Sequence, residues 1–84
     1  MEVMFPMKII EVLGPGCANC QRVEANAREA VAMSGVAAEI LHVTDPREIV
    51  AHGILSTPGL IIDGTIRSYG RIPSADDIAS WLVE

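Results

Sequence analysis

Cys17 and Cys20 are the only two cysteines in the 84-residue chain, and they stand three positions apart after Gly14-Pro15-Gly16. At the start of a helix that spacing puts two thiols one turn apart on the same face, close enough to close a disulfide and to reopen it. A bridge over two intervening residues closes so short a loop that it constrains little of the unfolded chain, which argues against a structural staple. The pair reads as a working dithiol, and its chemistry calls for no cofactor. As half of a tetrahedral zinc site the two sulfurs would need two further ligands, for which only His42 and His52 are on offer. Each histidine reads more simply as an ordinary surface or satisfied side chain.

The elements that must position these thiols are short and alternate. Lys8-Ile9-Ile10-Glu11-Val12-Leu13 is rich in β-branched residues and runs into Gly14-Pro15-Gly16, a strand ending in a turn. From Ala18 to Met33 the spacing of Cys20, Val23, Ala27, Ala30 and Val31 predicts a helix with one apolar face, supported on the other by the Glu24/Arg28 pair and ended at Ser34-Gly35. Ala38 to Val43 reads as a second strand. Asp45-Pro46-Arg47-Glu48 then supplies a cap, a proline at the first helical position and a carboxylate three residues after the cap, predicting a short helix to about His52. Leu60-Ile61-Ile62, Asp63-Gly64 and Thr65 to Tyr69 form a hairpin signal. Ser74 caps a last helix with Asp77 in its first turn and Ile78, Trp81 and Leu82 on its buried face.

The order is therefore β-α-β-α-β-β-α. It predicts an α/β domain in which a parallel β-α-β unit and an antiparallel hairpin share one four-stranded mixed sheet, flanked by three helices. In such open sheets, sites collect at the carboxyl ends of strands, where Cys17 lies.

Composition narrows the classes. Eighty-four residues suit one small domain spanning 1–84, with residues 1–6 expected as a flexible extension. Only Phe5, Tyr69 and Trp81 are aromatic, so the core must be aliphatic. A net charge of −5 and the lack of a basic run argue against nucleic acid and anionic membrane surfaces as partners. No stretch approaches membrane-spanning length, and the start lacks the positive leader of a secretory signal, so a cytoplasmic protein is expected. A compartment that keeps thiols reduced suits a catalytic CXXC.

Gly14-Pro15-Gly16-Cys17-Ala18-Asn19-Cys20 after the first strand, Ser56-Thr57-Pro58-Gly59 before the third, Asp63-Gly64 and Gly70-Arg71-Ile72-Pro73-Ser74 together resemble the small thioredoxin-like redox-active disulfide proteins, minimal thioredoxin folds of glutaredoxin size. The resemblance spans Met7 to Leu82. It implies a thiol–disulfide oxidoreductase, a cis bond before Pro58, and a substrate backbone received by Gly16, Thr57 and Pro58 beside the thiols. A thiolate at a helix N-terminus is stabilised by free backbone N–H groups and by the dipole, so Cys17 is expected to be the nucleophile and Cys20 the resolving thiol. Expected partners are protein disulfides and an upstream protein reductase, with glutathione a poor donor because no basic residue lies between Glu11 and Cys17, and the chain is expected to be a monomer.

A second reading from another class uses the same cysteines to bind and carry a soft metal or metalloid such as Cu(I) or arsenite. Such carriers follow a β-α-β-β-α-β order with Met two residues ahead of the first cysteine. Here Pro15 holds that position, and a carrier has no use for Thr57-Pro58.

Overall fold

In the computed structural model, which describes residues 7–84, the chain runs β1 (Lys8–Leu13), α1 (Ala18–Ser34), β2 (Ala38–Val43), α2 (Pro46–Ala51), β3 (Gly59–Ile62), β4 (Thr65–Tyr69) and α3 (Ala75–Leu82). The expected extension over residues 1–6 lies outside the described residues. The strands make one sheet in the order β2-β1-β3-β4. β1 pairs parallel with β2, from Lys8/Ala38 to Leu13/Val43, and antiparallel with β3, from Ile10/Ile62 to Leu13/Gly59. Three helices on a four-stranded mixed sheet is the architecture the element order implies.

Local chemistry sets the element ends. α1 stops where Gly35 turns left-handed (φ 69°) and donates its N–H to Val31 O at 3.1 Å. The β3–β4 turn places Asp63 at φ 50° and Gly64 at φ 82°, the left-handed pair a two-residue hairpin demands. Asp63 also ties this hairpin to β1: its carboxylate accepts from Ile9 N–H at 2.8 Å, and its own N–H donates to Ile9 O at 2.9 Å. Ser74 caps α3 by accepting from Asp77 N–H at 3.0 Å.

At α2 the cap differs from the expected box. Asp45 accepts from Arg47 N–H at 2.9 Å, two residues on, so its short side chain satisfies the second helical donor and the reciprocal arrangement through Glu48 is not the one formed.

The sheet has two unlike faces. On one, Ile10, Val12, Leu60 and Ile62 meet Val23, Ala27 and Ala30 of α1 and Ile78 and Leu82 of α3 in a fully buried aliphatic cluster. Alanines at 27 and 30 let α1 lie close over the strands. Trp81, expected on the buried face, is only partly buried at the edge of this cluster, because Ile78 and Leu82 take the central positions of the short helix. On the other face Leu13, Val43, Ile49, Ile54 and Ile61 form a smaller cluster under α2. Glu11 shares that face, half-buried, with its carboxylate 3.7 Å from His52 Nε2. Among the described residues no helix is long and apolar enough to cross a membrane.

Candidate active site

The turn after β1 delivers the thiols. Gly14 N–H continues the β1/β2 ladder by donating to Val43 O at 2.9 Å, and Gly16 then takes φ 90°, a left-handed bend open to glycine, which swings the chain into α1. Cys17 occupies the N-cap position with extended backbone (φ −71°, ψ 172°), and its carbonyl accepts the first helical bond from Gln21 N–H at 3.0 Å. Cys20 lies one turn into the helix. The sulfurs are 2.9 Å apart, both reduced, with Cys17 exposed and Cys20 buried at 5% exposure.

That contrast in burial separates the two thiols chemically. The hydrogen bond from the Cys20 thiol, then the Cys20 and Asn19 backbone N–H groups, hold the Cys17 thiol below its ordinary pKa. Burial, and after it the hydrogen bond to Cys17, push Cys20 up. Helix-terminal N–H groups are the source of anion stabilisation foreseen from sequence. The structure adds the Cys20 thiol itself as the largest contributor.

The Thr57–Pro58 peptide bond is cis. Its neighbours are fixed by the sheet: Gly59 pairs with Leu13 on one side and Tyr69 on the other, and Pro58 O accepts from Gly70 N–H at 2.9 Å. This pairing sets Thr57 and Pro58 beside the end of β1, immediately before the cysteine turn. Thr57 Cβ and Cys20 Sγ both border the same point above Gly14. Cys17, Cys20, Gly16, Thr57 and Pro58 thus gather at one end of the sheet.

An open groove of about 270 Å³ adjoins them, lined by Pro15, Pro46, Ile49, Ile54, Leu55 and Thr57 among others, with no charged side chain in its lining. Leu55 is 83% exposed at its rim, and Val50 is exposed as well. Sequence reasoning did not find this groove. The available signal was Leu55, a large apolar residue in the loop between α2 and β3 where a turn would ordinarily be polar. In the sequence Gly14 likewise reads only as part of a turn.

His42 and His52 do not join the cysteines. His42 Nε2 lies 3.2 Å from Glu24 Oε1, in a surface network in which Arg28 grips the other Glu24 oxygen, and His52 faces Glu11. Among the described residues no group of three His, Cys, Asp or Glu side chains is placed to hold a metal ion. The sulfurs stand as a pair.

Comparison with known proteins agrees with this geometry. The family described as thioredoxin domain matches residues 8–83. The chain belongs to the thioredoxin family. It is 42% identical to a thioredoxin from Methanothermobacter thermautotrophicus, over 90% of this chain and 99% of that one. A thioredoxin from Methanocaldococcus jannaschii is 40% identical, over 90% of this chain and 87% of its own length. Among solved structures, thioredoxin-2, described as a component of malaria parasite protein secretion machinery, superposes with a TM-score of 0.71. That match covers 96% of this chain and 85% of the other at 15% identity, a likeness of fold.

Proposed function

We propose that the chain is a thiol–disulfide oxidoreductase that reduces protein disulfides, with Cys17 as nucleophile and Cys20 as resolving thiol. The observation that carries this reading is the asymmetric pair: two sulfurs 2.9 Å apart, one exposed at a helix N-cap and one buried.

The Cys17 thiolate attacks one sulfur of a substrate disulfide. A Cys17–substrate bond forms, the substrate S–S bond breaks, and the other substrate sulfur leaves as a thiolate that takes a proton from water. Until then burial, and after it the hydrogen bond that the anionic Cys17 accepts, hold Cys20 up. Once Cys17 is bonded to the substrate that charge is gone, and Cys20 gives up its proton more readily. Its thiolate attacks Cys17 Sγ, closing Cys17–Cys20 and releasing the second substrate thiolate. The electron pair has then passed to the substrate, and an upstream protein reductase restores the dithiol.

In this reading the substrate backbone lies along Gly16, Thr57 and Pro58, with strand-like hydrogen bonds from the Thr57 main chain. The neighbouring groove takes an apolar side chain from the same segment. An uncharged groove favours a protein substrate over glutathione, whose carboxylates need cationic or backbone donors near the nucleophile. The whole chain, 1–84, acts as one domain and as a monomer in the cytoplasm, where thiols are kept reduced.

Insulin reduction tests the reading. Turnover is expected from the reduced protein, loss of turnover from Cys17→Ser, and an accumulating mixed disulfide from Cys20→Ser. Turnover unaffected in either variant overturns it, and equal rates on glutathione mixed disulfides overturn the choice of substrate.

A further inference from the structure

Gly14 follows β1, and its backbone does not call for glycine. It is absent from the residues with positive φ, and its N–H makes an ordinary ladder bond to Val43. Its distinction is the space its missing side chain leaves. A Cβ at position 14 would overlap Cys20 Sγ, whereas the next atoms, Cys20 Cβ at 3.5 Å and Thr57 Cβ at 3.8 Å, would be in ordinary contact. The Cys20 sulfur sits where an alanine methyl would be, and from that notch it faces Cys17 Sγ at 2.9 Å.

We propose that Gly14 is a positioning residue for resolution: the notch over its Cα seats the Cys20 sulfur for attack on the Cys17–substrate disulfide. The proposal rests on Cys20 being the resolving thiol. In the step it governs, the Cys20 thiolate forms the Cys17–Cys20 bond, the bond between Cys17 and substrate breaks, and the substrate sulfur leaves with the electron pair.

Geometry makes the effect selective. Cys20 places its sulfur with a single torsion, and staggered wells leave no small retreat from so deep an overlap. A methyl at position 14 therefore swings the sulfur into a different well, away from Cys17. The same methyl meets nothing else closely, so Gly14→Ala disturbs the thiol and spares the fold. It also withdraws the Cys20 S–H from the Cys17 anion, the largest of the contacts that lower Cys17.

A symmetrical chromogenic aryl disulfide separates the steps, because attack by Cys17 releases one coloured thiolate and resolution by Cys20 releases the second. In Gly14→Ala the first release is expected at the wild-type rate once the pH is high enough to ionise Cys17, and the pH profile of that release is expected to move upward. The second release should slow by roughly ten- to a hundredfold, the scale of an ångström-level misplacement of a reacting atom. The pair Cys20→Ala and Gly14→Ala/Cys20→Ala guards against a folding artefact. With the sulfur gone the notch is empty, so the added methyl should change neither melting temperature nor the pH profile of the first release.

A folded Gly14→Ala protein that releases the second thiolate at the wild-type rate overturns the proposal. So does a methyl that lowers the melting temperature equally with and without the Cys20 sulfur. A wild-type protein that releases only one thiolate overturns the resolving role of Cys20 instead, and the two failures are told apart in one trace.

Discussion

The two faces of the sheet are built for different ends. Under α1 and α3, nine buried aliphatic residues form a closed cluster, with Ser68 buried opposite Leu60 as the polar residue on that face. Under α2, five buried residues suffice, a half-buried Glu11 intrudes, and the six-residue helix covers too little of the sheet to close it, leaving the groove beside Thr57. Filling one face supplies stability and a fixed seat for the buried thiol. Leaving the other unfilled keeps open the groove proposed above to receive a substrate side chain. A helix of fewer than two turns cannot do both.

The largest expected effect lies where the faces meet. Cys17→Ser should abolish disulfide turnover while the melting temperature stays near that of the wild type, since Cys17 is exposed and packs against no core cluster. Next, Leu82→Ala on the filled face should destabilise by about 2–5 kcal/mol, the cost of a cavity where a fully buried leucine stood, readable by urea unfolding. Leu55→Ser on the open face should shift stability by less than about 0.5 kcal/mol and raise KM for insulin severalfold, because its side chain is solvated until a substrate covers it. Equal losses of stability in Leu82→Ala and Leu55→Ser would erase the distinction between the faces.

The smallest effect belongs to the surface of α1. Hydrogen bonds from Arg28 and then His42 hold Glu24 below the ordinary carboxylate range. A carboxylate lowered by folding stabilises the native state above its unfolded pKa, and that contribution is lost as pH falls through the folded value. Glu24→Gln should therefore cost about 0.5 kcal/mol near neutral pH and low salt, with the difference from wild type vanishing in acid.

What was legible from sequence follows from the range of the interactions involved. Caps, left-handed glycines and the Asp63-Gly64 turn are set within a few residues, so the seven elements fall close to where the sequence puts them. The CXXC spacing is likewise local and puts Cys17 and Cys20 one helical turn apart. Three features depend on packing between distant segments: the groove, the Glu11–His52 contact across β1 and α2, and the seating of Cys20 against Gly14. No local pattern encodes them. Trp81 shows the same limit within one helix, since helical spacing puts it near Ile78 and Leu82 but only the size of the cluster decides which of the three is central.

The central claim is that one environment splits two like thiols, and thiolate absorbance of the reduced protein against pH tests it most directly. Two ionisations are expected. The first, below the ordinary thiol value of about 8.5, disappears in Cys17→Ser, and the second, above that value, disappears in Cys20→Ser. Cys20→Ala should also move the Cys17 ionisation upward, because the strongest hydrogen bond to its anion is lost. A single transition at or above the ordinary value, or a low transition that survives in Cys17→Ser, would contradict the account.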